Sequence, residues 1–298
     1  MNVDPNYIQR LTAALSRNTA HEQALSSQIS SGVRLSGLGD DPMAASQNVQ
    51  FAAQIAADST FTQTASTTTA MMQVADSTLG SVVDQINQAI SVATAGNNGT
   101  NNASDQSSVA AELTSIRDEV LGLANTSYSG RYLFSGSQNS SPPFQLDTST
   151  SPATVTYTGD SVVNHVSTPG GQSIATNLPG QQVFTAAGGD LLGTLNQLIQ
   201  GFSTGNTAST TSLTSQLGAA LSQVSTQRAS LDGAINRFQS ASSYATQERT
   251  QLVVNQTNLL QADLPTVATE LSSNQTQQSA LESVIVAIEQ QGTLFNKM

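Results

Sequence analysis

The chain has 298 residues and a formal charge of −11 from 20 acidic and 9 basic side chains; 37% of it is hydrophobic, 10% charged, and it contains neither cysteine nor tryptophan. Globular domains average about 45–50% apolar and about 25% charged residues, so a chain this rich in small polar residues suits long, narrow helical packing better than a thick core. With Lys297 as its single lysine and no basic cluster, it offers phosphate backbones no attractor, which excludes nucleic-acid binding as an expectation, and the missing cysteine excludes disulfide and thiolate chemistry.

The opening MNVDPNYIQRLTAAL has no basic region leading into an apolar stretch, and no run approaches the roughly 18 apolar residues of a membrane span. No membrane insertion is expected, and any export should proceed without a cleaved signal. Ile8, Leu11, Leu15, Leu25 and Ile29 fall on alternating spacings of three and four, with Asn18 and Glu22 at the seam positions between them. This is a heptad stripe. It ends at Ser30-Ser31-Gly32, and Asp41-Pro42 then gives a restart signal: Asp41 as N-cap, Pro42 in the first helical position, Asp40 adding charge at the positive end of the dipole.

The second helix is predicted from about residue 42 to about 94, with Leu79, Val83, Ile86 and Ile90 as its clearest stripe, although the Ser/Thr/Ala run TFTQTASTTTA within it is a weak intrinsic helix former. After AGNNGTNN a third helix spans about 105–127, carrying Val109, Leu113, Ile116, Val120 and Leu123, and the short loop predicts antiparallel packing on the second. Between 131 and 187 the period changes. VTYTGD alternates Val155 and Tyr157 before a Gly159-Asp160 turn, and PPFQL, QSIATNL and QQVF read as further short strands of a small β-rich insert. GGDLLGTLNQLIQGF is a short amphipathic helix stopped at Gly201. A long seam follows through Leu217, Leu221, Val224, Leu231, Ile235, Phe238 and Ala245, interrupted by Arg228, which is read as an inter-helix ion pair, and Pro265 is expected to kink or delimit it. The last helix repeats the heptad with Leu264, Val267, Leu271, Leu281, Ile285, Ile288 and Phe295, and has Asn274 and Gln278 at seam positions.

Read inward from either end, the order of elements is the same, and each stripe needs a partner to cover it. The fold expected is mainly α: an elongated antiparallel coiled-coil or helical-bundle rod formed by both termini, with a small β-rich domain inserted in the middle. Its three parts are 1–41 with 264–298, 42–130 with 188–263, and 131–187. Polar residues in the terminal seam set register at a cost in stability, so the ends are expected to order fully only against neighbouring subunits. The aromatic cluster of Tyr128, Tyr132, Phe134 and Phe144 is unusual in a chain only 4% aromatic. Tyr132, Phe134 and Phe144 are read as the anchor of the joint between helix and insert, with a carbohydrate or partner platform as the other reading.

No constellation points to catalysis. His21-Glu22 begins like HExxH, but Leu25 stands where the second imidazole must be. Asp40-Asp41 is explained by helix capping, GxSxG, P-loop and GxGxxG patterns are missing, and no cofactor or metal is expected.

SSGVRLSGLGDDPMAA resembles the N-terminal signature of the bacterial flagellin family, and ELSSNQTQQSALESVIVAIEQQGTLFNKM resembles its C-terminal helix, although FNKM lacks the aromatic or leucine ending common there. GRYLFSGS with its following PPF, VTYTGD and NLPGQQVF are similar in order and spacing to the members of that family found at the hook–filament junction. The resemblance implies a structural, non-enzymatic role in an extracellular flagellum. It implies a homo-oligomeric ring between a hook-side junction protein and flagellin, export unfolded through the flagellar secretion channel, and an export chaperone as a further partner. A short filament flagellin, or a surface adhesin with helical stalk and β head, are the other readings.

Overall fold

A computed structural model describes residues 5–35, 37, 39, 41–98 and 102–295. It is mainly α with small antiparallel sheets, as the sequence predicts, and it divides into two compact units: residues 1–56 with 248–298, and residues 57–247.

The first unit is built on α1 (Pro5–Ser31) and α7 (Leu264–Phe295), together with the opening of α2 (Pro42–Gly96) and the close of α6 (Thr210–Leu260). The restart at Pro42 forms as the sequence signals. Asp41 Oδ1 accepts from Ala44 N at 3.0 Å, filling one of the donors that a helix N-terminus leaves free. Asp40, the second half of that signal, lies outside the described residues. At the other chain crossing, Asp263 accepts from Thr266 Oγ1 at 2.9 Å, and Pro265 sits in the first turn of α7, where its missing N–H costs nothing. Gln256 donates to Asn48 Oδ1 at 2.7 Å, tying the close of α6 to the opening of α2.

The second unit holds most of the core. One contiguous apolar cluster joins Leu79, Val82 and Ile86 of α2, Leu113, Ile116 and Val120 of α3 (Ala103–Ala124), Leu195 and Leu198 of α5 (Leu191–Ser203), and Leu217, Val224 and Phe238 of α6. On α2 the predicted Leu79 and Ile86 are fully buried, but Val82 and Ala89 complete the buried stripe, leaving Val83 and Ile90 partly covered. TFTQTASTTTA stays helical without a break: Phe61 and Ala65 are buried, and the Thr62, Thr64 and Thr67 hydroxyls turn back onto carbonyls four residues earlier. Burial of one face outweighs weak propensity there. Within this unit α2 and α6 run antiparallel, with Asn97 reaching Thr210 and Thr214 at one end and Asp76 meeting Arg228 further along. The Arg228 guanidinium contacts Asp76 through Nε at 2.7 Å and Nη2 at 3.2 Å, the ion pair that its seam position implied. The short loop before α3 suggested α2 as its main neighbour, but α3 makes its closest backbone approach to α5. Arg117, buried in that contact, reaches Asn196 Oδ1 at 3.2 Å and Asp118 Oδ1 at 2.7 Å.

The β-rich segment contains hairpins β1 (Ser127–Tyr128) with β2 (Arg131–Tyr132), β3 (Phe144–Asp147) with β4 (Thr154–Tyr157), and β5 (His165–Ser167) with β6 (Ser173–Ala175). Two expectations fail here. QQVF is not a strand but one helical turn, α4 (Gln181–Phe184), followed by the small hairpin β7 (Thr185–Ala186) with β8 (Gly189–Asp190). Its adjacent residues Val183 and Phe184 are both fully buried, which a strand, sending neighbours to opposite faces, could not arrange against one core. The second failure is Gly201, which does not stop its helix. The helix runs to Ser203, and the chain reverses at Gly205, whose φ of +69° is the left-handed conformation that terminates helices.

The Asp41 carboxyl lies below its ordinary value of 3.8, chiefly because Ala44 N donates to it, with Arg34 adding to the effect. A lowered folded-state pKa means that the cap's contribution is complete above pH 3.8 and is lost as pH falls through the lower folded value. Amide exchange at Ala44 and Ala45 should therefore accelerate in that acid window, and Asp41→Ala should show the same acceleration at neutral pH.

Candidate assembly surface

The helices α1 and α7 pack together antiparallel, with Asn18 meeting Asn274 and Leu25 packing by Val267. Leu25 and Val267, 3% and 7% exposed, form a small buried cluster with Ala262, and Leu271 packs on it. Beside that cluster the seam is polar and reciprocal. Asn18 Nδ2 donates to the Asn274 carbonyl at 3.2 Å, and Asn274 Nδ2 donates to the Asn18 carbonyl at 2.9 Å. Gln275 Nε2 adds a bond to Glu22 Oε1 at 3.2 Å. Each asparagine thus satisfies a main-chain carbonyl on the opposite helix, a geometry that only one register allows.

Elsewhere the seam is thinner. Leu11, Leu15, Leu281, Ile285 and Ile288 are half-buried, while Ile29 and Leu264 are 37% and 45% exposed. The side chains of Ile8 and Phe295 lie outside the described residues. Two helices cover one side of such a stripe and leave its flanks to water. Val284 and Val286, on turns of α7 next to the seam, are 40% and 49% exposed.

The connections at the inner end of this pair are stapled together. Val33 and Gln261 form an antiparallel bridge, flanked by Arg34 N to Leu260 O at 2.7 Å and Ala262 N to Gly32 O at 2.9 Å. Arg34 then spans from Asp41 Oδ2 to the Leu259 carbonyl, both at 3.3 Å, joining the cap of α2 to the last turn of α6, where a cation also meets the negative end of the helix dipole. Sequence reading noted Arg34 only as part of a motif. The distance in sequence between its partners, 225 positions for Leu259, hid this role.

At the joint between α3 and the β-rich segment, Phe134 is fully buried, Phe144 is 2% exposed and Tyr132 is half-buried. Phe134 and Phe144 each meet the Phe184 ring edge to face at centroid distances of 5.3 Å, and Phe144 also packs on Tyr157 at 5.0 Å. Such pairs add about 0.5–1.5 kcal/mol each beyond the area they bury. Phe184 is the hub, and reading QQVF as a strand is what concealed it. Gly180 lets the turn approach this cluster: its N donates to the Phe134 carbonyl at 2.7 Å, and a Cβ there would lie 2.7 Å from the Phe144 ring. The Tyr157 hydroxyl sits 3.0 Å from the Phe134 carbonyl and 2.8 Å from the Asp160 carbonyl, and burial pushes its pKa up. Asp160 closes the corner by accepting from Ser137 Oγ, Ser137 N and Val162 N, and these bonds hold its carboxyl below the usual range.

Among the described residues no group of three or more His, Asp and Glu is placed to hold a metal ion, and no helix is long and apolar enough to cross a membrane.

Phe134→Ala should cost about 3–5 kcal/mol in urea unfolding of the second unit, as large core truncations do. Gly180→Ala should cost about 1–3 kcal/mol by overpacking. Replacing Asn18 and Asn274 together by leucine should raise the thermal midpoint of the α1–α7 pair and loosen its register, seen as disulfides forming at several staggered positions when cysteines are placed along the seam.

The pattern of the bacterial flagellin N-terminal helical region matches residues 6–139. Flagellar hook-associated protein 3 of Escherichia coli is 32% identical over 51% of this chain and 54% of that protein; the protein of the same name from Salmonella typhimurium is 32% identical over 46% and 43%. The chain therefore spans about half the length of the curated relatives it matches. Among solved structures, flagellar hook-associated protein-3 of Legionella pneumophila superposes with a TM-score of 0.64 at 13% identity, over 70% of this chain and 98% of that one. Residues 6–139 are thus similar to the bacterial flagellin N-terminal helical region, and the chain is similar in fold to a hook-associated protein 3.

Proposed function

We propose that this protein is a structural subunit of the bacterial flagellum that joins the hook to the flagellin filament. The observation that carries the reading is the terminal seam: apolar residues at heptad spacing on α1 and α7 that one chain covers only in part, with Ile29 and Leu264 exposed beside the buried Leu25 and Val267. Similarity to two flagellar hook-associated proteins 3 supplies the setting. In this reading the assembly domain is 1–41 with 264–298, and copies stack into a ring by burying the flanks of Leu11, Leu15, Leu281, Ile285 and Ile288 against neighbours. The β-rich segment, 131–187, is carried on the helices of 42–130 and 188–263, with the rings of Phe134 and Phe144 fixing its attachment; Tyr132, expected to join them, is half-buried outside their cluster.

The neighbours are a hook-side junction protein and flagellin, and the chain reaches them by export through the flagellar secretion apparatus, escorted by an export chaperone. Folding of the ends is coupled to assembly, because a seam holding Asn18, Glu22, Asn274 and Gln278 gains too little from one partner helix. The work of this protein is association, not chemistry.

Deletion of the gene tests the role directly. Cells should keep their hooks, lose attached filaments and release flagellin into the medium; normal filaments would overturn the proposal, as would polymerisation of the purified chain alone into long filaments. In the isolated chain, amides of α1 and α7 should exchange faster than those of α2 and α6 in the second unit and become protected on assembly.

A further inference from the structure

The aromatic stretch of the sequence has two fates in the fold. Phe134 and Phe144 are buried and can present no face to a ligand, whereas Tyr128 and Tyr132 are half-buried and line a recess of about 570 Å³. Its walls come from three segments far apart in sequence: Thr67, Thr68 and Met71 of α2, the β1–β2 hairpin with the loop after it, and the β5–β6 hairpin. Small-molecule sites fall in the range of about 300–1,000 Å³ and combine apolar walls with a few converging polar groups. This recess has that mixture, and no residue of it belongs to the terminal seam.

Its charge is the second observation. With the Asn139 amide turned so that its oxygen faces Arg131, that oxygen accepts from Nε at 2.8 Å and Nη2 at 2.6 Å. Two bonds fix the plane of the guanidinium and leave its remaining N–H donors open. The ion pairs among the described residues are Arg34–Asp41, Arg117–Asp118 and Arg228–Asp76, so the Arg131 guanidinium has no carboxylate partner among them. What sets this guanidinium apart is its place: it borders the recess and is held there by the neutral Asn139. His165 of β5 lines the same recess.

The hairpin backbone holds Arg131 in place at some cost. Ser129 and Gly130 turn the chain with φ of +50° and +78°, the paired left-handed conformation of a tight hairpin turn, and Ser129 pays for it as a residue with a Cβ. The result sets Arg131 directly opposite Tyr128 in the strand register.

The remaining polar lining selects the ligand. The Thr67 and Ser137 hydroxyl hydrogens are committed to Gln63 O and Asp160, which leaves their oxygens to accept from the hydroxyls of a polyol beside Thr68, while Asn177 is already committed to the Gly136 and Val162 carbonyls and to Asn164 N. Tyrosine rings offer apolar faces to the C–H face of a sugar ring, and a planar guanidinium takes a carboxylate through paired hydrogen bonds. We infer that this recess binds a carboxylated saccharide, with Arg131 meeting the carboxylate and Tyr128 and Tyr132 packing on the ring.

The test is calorimetric titration of the full chain with glucuronic acid, N-acetylneuraminic acid and glucose. The acidic sugars should bind at least about tenfold more tightly than glucose, and Arg131→Gln should lose about tenfold for the acidic sugars alone. Arg237→Gln, on α6 outside the recess, should bind as the parent does. The thermal midpoint of each variant reports its folding, and His165→Ala, outside the β1–β2 hairpin, gives an independent loss of affinity should Arg131→Gln be misfolded. Equal affinity for glucose and glucuronic acid, undiminished binding by folded Arg131→Gln, tighter binding of the peptide Glu-Gly-Glu than of either acidic sugar, or no binding up to about 10 mM would each overturn the inference.

Discussion

A helix with one narrow apolar stripe is stable only where a second stripe covers it, and in this chain the cover for α1 comes from the opposite end of the sequence. The hydrogen bonds that join Asn18 to Asn274 span 256 positions. Closing a loop of that length costs entropy that grows only slowly with length, so the pairing is affordable once the intervening residues have a core of their own. The second unit supplies that core. Its contiguous cluster draws on α2, α3, α5 and α6 together, whereas the buried hydrophobic cluster of the terminal pair contains Leu25, Ala262 and Val267. The contrast in apolar content between the units is what makes the terminal surface a candidate for association.

Polar contacts then decide register at points where apolar stripes alone would tolerate a slip. Asp76 with Arg228, Arg117 with Asn196, and Arg34 between Asp41 and the Leu259 carbonyl each join elements remote in sequence through directed bonds. The partly exposed pairs Asp76–Arg228 and Arg34–Asp41 contribute little stability individually. Their effect is selective: heptad stripes built from leucine, isoleucine and valine match a neighbouring register nearly as well, and an asparagine or guanidinium does not.

The aromatic joint works by concentrating large side chains where the architecture changes. A chain this poor in aromatic residues places Phe134, Phe144, Tyr157 and Phe184 in one cluster, and Gly180 lets the backbone come close enough for them to meet. Tyr128 and Tyr132, on the adjoining hairpin, stay outside that cluster and are free to border the polar recess.

By itself the sequence determined the helices, because a 3.6-residue period repeated over dozens of residues, with Asp41-Pro42 and Pro265 as boundaries, leaves no other periodic structure that buries the stripe. It also determined that Phe134 and Phe144 would be buried and that Arg228 would face a partner helix, since both follow from side-chain chemistry at a seam or joint. The tertiary structure decided what short segments could not encode. QQVF contains too few residues to separate a period of two from one of 3.6, and only the core that receives both Val183 and Phe184 makes it a helical turn. The neighbour of α3, the place of Phe184 as aromatic hub, the staple at Val33 and Gln261, and the recess that Arg131 borders all depend on segments brought together across long stretches of chain. Local spacing carries no information about which distant segment arrives; packing does.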